Sequence, residues 1–435
     1  MKELWGLVAF RWYWFGLFLS SLGNSLGWMA LAWFVMKKTG SPVAMGGVVL
    51  SYMLSAVAAG LVVGVLLDRF NRQRLIIWDN ILRGLIFIAL VAVLQLESVP
   101  LWIMYVLIVL AGILSPLSSA GTQALLPRLV PDKELLVKAN GLMESQWQIT
   151  GLFGPVLAGL LIGVIGEGMV LLLDVCAMFV CAYCFGRIPS AMLNHSAGTS
   201  APPAGEFLRS LGADLLTGYR FLLRQPQLLW LIFFTFFFNM AYGPLEIALP
   251  LYANAYLGGE AVAMGFLWSA LAAGALLGSL LFSVVNWKVR AGVTLAAIIA
   301  LWGVTTLPLA FFTRLDIAVI SMALAGFSFT PYNILYRSHL QKNIPPHLLG
   351  RVLTSVRMIT GTGMPAGAGA AGLLISVLGL QGMFLASSVA CIVIGLLALP
   401  LLRGLDAPPL FAVQQGSEEP LPTAGQKKVE QGQQM

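Results

Sequence analysis

A chain of 435 residues that is 59% hydrophobic and only 10% charged holds well under half the charge of a soluble globular protein, for which about 25% is usual. Its net charge of +7 is scattered between apolar runs instead of gathered on one polar face, which excludes nucleic acid as a partner and points to basic flanks on segments embedded in a lipid bilayer. Length therefore counts membrane spans, not soluble domains.

The first apolar run, 12–36, is long enough to span and ends in Lys37 and Lys38 without a small-residue cleavage pattern, so it stays as the first helix. Windows of about twenty apolar residues then predict spans at 43–67, 75–95, 101–124, 142–165 and 168–188. A polar interval follows. Its "SAGTSAPPAG" stretch reads as flexible. Beyond it Leu208, Leu211, Leu215, Tyr219 and Leu222 recur at helical spacing, as in an amphipathic helix on the membrane surface. Six more spans are predicted at 228–256, 262–284, 289–312, 315–338, 353–378 and 380–402.

The plan is an all-α membrane protein of twelve transmembrane helices. It has an N-terminal six-helix half (1–188), a cytoplasmic linker (189–227), a C-terminal six-helix half (228–402) and a disordered cytoplasmic tail (403–435). Of the 25 Lys and Arg, only Lys37, Lys38 and Arg314 fall on the side opposite the N terminus, and Arg83 lies inside a span. That asymmetry places both termini and the linker in the cytoplasm of a multi-pass protein of the cell membrane.

An internal repeat joins the halves. "AGLLIGVIG" at 158–166 and "AGLLISVLG" at 371–379 agree at seven of nine positions, and upstream Ile149-Thr150-Gly151 with Pro155 answers Ile359-Thr360-Gly361 with Pro365. Both copies fall in the fifth span of their half with the same orientation, so the halves are parallel repeats about an axis along the membrane normal, and a substrate path lies between them.

The stretch "GVLLDRFNRQR", Gly64 to Arg74, turns the chain between the second and third spans. A turn that tight calls for a residue at positive φ, a role that Asn71 fills next best after glycine. Asp68 ends its own helix, where the dipole repels an acid, and needs a partner elsewhere. Here the sequence resembles the major facilitator superfamily, whose loop between helices two and three carries G-x-L-x-D-R-x-G-R-R/K. Gly64, Leu66, Asp68, Arg69 and Arg72 match, Arg74 supplies one more basic residue, and Asn71 stands in place of the glycine.

The resemblance implies the major facilitator fold, with Asp68 meeting the start of the eleventh helix and latching the cytoplasmic side. The corresponding stretch of the second half keeps Gly278, Lys288 and Arg290 but has no acid, so the latch is one-sided. Asp68→Asn is expected to impair transport while expression and substrate binding stay near normal. Unchanged transport in a vesicle assay would dismiss the latch.

The segment "GLFGPVLAG" resembles the fifth-helix antiporter pattern G-x-x-x-G-P-x-x-G-G, with Gly154, Pro155 and Gly159 in place, Gly151 one residue off and Ala158 for a glycine. Small residues let helices approach, and proline frees a carbonyl. The pattern implies export. "LLPRLVPDKELLVKANGL" (125–142), "RLIIWDNILRG" (74–84) and "IPPHLLGRV" (344–352) resemble the branch that includes macrolide efflux proteins and siderophore or lysophospholipid transporters, although Asn24 stands where many relatives place an acid.

Charges inside spans need reasons, because each costs at least about 2.5–3.5 kcal/mol at bilayer depth. Asp79 and Arg83, four apart, form a structural ion pair. Glu144 reaches the interface. Asp174 and Glu246 have no sequence-local basic partner. An acid that takes up a proton on one side and releases it on the other is what proton-coupled export needs, which makes Glu246 the first coupling candidate and Asp174 the second.

Asn24, Trp28, Phe238, Asn239, Tyr242, Tyr332, Asn333 and Tyr336 are the candidate contacts for an amphipathic substrate in a wide, mostly apolar cavity. Cys176, Cys181, Cys184 and Cys391 read as core. His195, His339 and His347 fall at loops and are not gathered as metal ligands, and no GxxxxGK[ST] occurs. The expected protein is a monomeric transporter without cofactor, not an enzyme, that exports amphipathic small molecules in exchange for protons. A lysophospholipid or lipid-precursor transporter, a siderophore exporter and a membrane sensor stay open as alternatives.

Overall fold

The computed structural model describes residues 2–95, 101–130, 132–189, 204–284, 290–345 and 348–406, and these contain no strand. After a helical turn at Lys2–Gly6, α1 (Val8–Thr39) stops where Gly40 takes φ 56° and returns its N–H to the Met36 carbonyl. Ser41 then accepts from the Ala44 N–H at 3.2 Å, and Pro42 opens α2 (Pro42–Arg69).

At the next junction the structure corrects the expected turn. Asn71 has φ −63° and ψ 113°, and its side chain accepts from the Arg74 N–H at 3.2 Å to cap α3 (Arg72–Leu94). The chain reverses through extended residues, so asparagine serves as a helix cap and no left-handed residue is needed. The side chains of Asp68 and Arg69, whose backbone closes α2, lie outside the described part.

The first half continues through α4 (Leu101–Leu129), α5 (Lys133–Ile165, capped by Asp132) and α6 (Glu167–Gly186). The linker helix α7 (Ala204–Leu223) rests on the start of the eleventh span, where the Ser355 hydroxyl donates to the Leu215 carbonyl at 3.3 Å. Residues 190–203 and 407–435, which hold most of the predicted flexible stretch and tail, as well as His195, Lys288 and His347, are outside the described residues. Arg403–Asp406, assigned to the tail, forms a 3-10 turn with Leu405 buried.

The second half opens with α8 (Pro226–Tyr242) and α9 (Leu245–Tyr256), one span broken at Gly243 and Pro244. Then come α10 (Ala261–Val284), α11 (Ala291–Thr306), α12 (Leu315–Asn343), α13 (Leu349–Gly361) and α14 (Gly363–Leu402). Among the described residues eleven segments are long and apolar enough to span, but the last, Leu349–Leu405, has 57 residues. At about 1.5 Å per residue it measures about 85 Å, far beyond a bilayer core of about 30 Å. It crosses twice, breaking at Gly379, and the crossings number twelve.

The repeat explains that break. Gly379 (φ 73°, ψ 172°) and Gly166 (φ 81°, ψ 159°) are the last residues of the two copies and share a backbone conformation essentially reserved for glycine. Each reverses the chain from one helix into the next without a loop.

The second residue of each copy does parallel work between the halves. A Cβ on Gly159 would come within 2.6 Å of the Ala261 carbonyl at the head of α10, and one on Gly372 within 2.6 Å of the Pro42 carbonyl at the head of α2. Two backbone-to-backbone crossings, α5 on α10 and α14 on α2, thus join the halves at the end opposite the N terminus.

Candidate functional site

A cavity of about 270 Å³ lies between the halves, on the terminus side of both crossings. From α1 it takes a helical stripe of Ser21, Asn24, Ser25 and Trp28, and from α5 the stripe Trp147, Gly151 and Pro155, four residues apart. The Ser21 and Thr150 hydroxyls are 2.9 Å apart and tie these two walls together. The opposite wall comes from the second half, with Glu246 and Pro250 of α9 and Met264 and Trp268 of α10.

Glu246 owes its place to the break in the seventh span. Gly243 sits so close to α14 that a Cβ there would lie 2.9 Å from the Ala368 nitrogen and overlap the Met364 carbonyl. Pro244 then starts a new helix, and Glu246 falls in its first turn, at the positive end of the helix dipole, which favours an acid. The Trp28 indole N–H donates to Glu246 Oε2 at 3.2 Å, across the halves. Trp28 and Glu246 also border a void of about 10 Å³, lined by Leu31, Val35, Met45 and Val48.

The other in-span charges lie away from the cavity. Arg83 Nε and Nη2 donate to Asp79 Oδ1 and Oδ2 at 2.9 and 2.8 Å in a buried fork, and Ser118 donates to the same carboxylate. Asp174 is 1% exposed, and its Oδ1 has no hydrogen-bond partner among the described residues. Gly23 and Gly27 of α1 make room for it. A Cβ on Gly23 would be 2.9 Å from Oδ1, and one on Gly27 would overlap the carboxylate. Glu144 is exposed and accepts from Gln148 at 3.1 Å.

Of the predicted substrate contacts, the structure brings Asn24 and Trp28 into the cavity, beside Gly151 and Pro155 of the fifth-helix motif. Gly154 faces Ser25 of α1, and Gly159 lies in the cross-half contact. The second-half set sits elsewhere. Phe238, Tyr242 and Tyr332 pack with Trp302 and Phe329 in an aromatic cluster inside that half, and the Tyr332 hydroxyl is 2.7 Å from that of Thr235. Tyr336 stacks on Tyr332, Asn239 donates to the Thr360 carbonyl at 3.0 Å, and Asn333 is exposed. The reason is the helix break: α8 turns its aromatic face into its own half, and α9 supplies the wall.

Trp147, Met264 and Trp268 escaped the sequence reading. The spacing of Trp147 to Gly151 and Pro155 is the signal that would have found the first.

Two six-helix halves enclosing a cavity lined from both define a membrane transport protein. The chain belongs to the Major Facilitator Superfamily, whose family model matches residues 13–367. It is 28% identical over 403 residues to the multidrug efflux pump Tap of Mycolicibacterium fortuitum, covering 90% of this chain and 96% of that one. To macrolide efflux protein A of Streptococcus pyogenes it is 24% identical over 406 residues, covering 92% and 98%. Among solved structures the nucleoside transporter NupG (13% identity, 91% and 98% covered) and a bacterial homologue of the iron transporter ferroportin in an inward-facing state (14%, 92% and 99% covered) superpose with TM-scores of 0.71, which shows a shared fold.

Proposed function

We propose that the protein is a secondary active exporter that carries amphipathic small molecules out of the cell in exchange for protons, its halves rocking about the central cavity. The carrying observation is that cavity, walled by both halves, closed at one end by the two glycine crossings, with Glu246 on its wall. The similarity to a multidrug pump and a macrolide efflux protein supports drug-like substrates over nutrients. With the termini in the cytoplasm, as the Lys and Arg distribution favours, the cavity faces inward, ready to load.

Glu246 is the group through which protons act in this reading. It faces the substrate space and shares its hydrogen bond with the opposite half, so a change in its charge is felt by both halves. The test is transport by purified protein in proteoliposomes under an imposed pH gradient, against a panel of drugs, siderophores and lysolipids. Glu246→Gln is expected to remove most gradient-driven transport, because an amide cannot take up and release the coupled proton. Full proton-driven transport by that variant would remove Glu246 from the coupling role.

A further inference from the structure

Resting on the transport reading above, we propose that the cavity selects substrates with a single positive charge on an apolar body. Glu246 is the counter-charge, and the indoles of Trp28, Trp147 and Trp268 hold the body.

Glu246 is the one ionisable group among the described residues that line the cavity, and no Lys, Arg or His accompanies it. Its hydrogen bond from the Trp28 N–H, at 3.2 Å, is longer than the roughly 2.7–2.9 Å of a charge-assisted N–H to carboxylate bond. The indole therefore holds the position without matching what a cation would give. Three tryptophans surround the same space, Trp28 and Trp147 from one half and Trp268 from the other. Indole is the side chain whose face attracts a cation most strongly. Met29 and Met264 complete an adaptable apolar wall.

An anion fails on the same grounds. A phosphate headgroup or a carboxylate-rich chelator would bring negative charge against Glu246 at short range, with no cationic side chain in the lining to offset it. This chemistry argues against anionic lysolipids and carboxylate-rich siderophores and for amphipathic amines or quaternary and phosphonium centres. A substrate lodged between Trp147 and Trp268 also touches both halves at once.

The test uses two ions of nearly the same size and shape, tetraphenylphosphonium and tetraphenylborate, in equilibrium binding to the purified full chain, measured against protein-free micelles and without a gradient. The cation is expected to bind at least about tenfold more tightly than the anion, and Glu246→Gln to weaken it by a similar factor, as expected for one partner of a desolvated charge pair. Trp28→Phe keeps an aromatic face, though a weaker one for a cation, and removes the N–H bound to Glu246, so cation affinity should fall less than in Glu246→Gln. An equal or larger fall would put the recognition on the indole and not on the carboxylate.

Equal affinity for the two ions in the unaltered protein would overturn the proposal even if no variant folded, as would a cation preference that survives Glu246→Gln. Proteoliposome transport separates the two readings. Gradient-driven export of neutral amphipaths with no preference for the cation sinks the charge selection alone. A clear preference with no transport of any compound leaves the site and removes the exporter.

Discussion

Arg83→Leu is expected to destabilise the protein by about 3–5 kcal/mol, the usual result of removing one partner from a buried ion pair. The guanidinium is the forked partner of Asp79 within α3, both side chains are nearly inaccessible, and its charge also acts on Asp174 of α6. Without it two acids remain inside the first half with Ser118 as the nearest donor to one of them. The double variant Asp79→Leu/Arg83→Leu should recover most of the loss, because a buried pair replaced by apolar groups of similar volume is often neutral or better. Thermal unfolding in detergent reads both. Equal destabilisation of single and double variants would mean that packing, not charge, holds this site.

Gly372→Leu and Gly159→Leu should each leave a folded protein with its halves forced apart at the end opposite the termini. A side chain at either position meets backbone of the other half, and rocking of the halves relieves the overlap. Overpacking of about 1–3 kcal/mol corresponds to roughly 5- to 150-fold in the population of the closed arrangement. The readout is non-local. A cysteine at Val262, in the α5–α10 crossing, should react faster with a maleimide when Gly372→Leu wedges the other crossing.

Gly326→Leu is the control. Its side chain would strike the Leu271 carbonyl of α10 inside the same half, where no rocking relieves it, and loss of folded protein is expected. An unchanged labelling rate at Val262 would show that the crossings do not move together.

Much of this architecture is written in hydrophobic periodicity. The end of the eleventh span at 378 and the start of the twelfth at 380 leave Gly379 between them, and that glycine is the positive-φ joint. The repeat that ends at Gly166 and Gly379 is visible as letters, but its meaning is a backbone angle, which only the paired helices disclose. Asn71 went the other way. Asparagine serves left-handed turns and helix caps alike, and nothing local to the sequence separates the two.

The cavity was half legible. Glu246 stands out as an acid in an apolar run, whereas Trp268 is one aromatic among many in a chain with 12 tryptophans and 24 phenylalanines. Which face of the seventh span meets the cavity depends on the break at Gly243 and Pro244, a tertiary fact set by close packing on α14. Residue type nominates Phe238 and Tyr242, which pack on Trp302 inside their own half, and it does not tell one face of a helix from another.

The single-glycine joints at Gly166 and Gly379, together with Gly40 and Ser41 between α1 and α2, leave little extended chain at three of the described turns opposite the N terminus. Proteases cut exposed loop tips and extended segments. At these joints that face offers them almost nothing to hold. Protease added from that side is therefore expected to leave these three joints uncut, and rapid cutting at any of them would show that the joint opens.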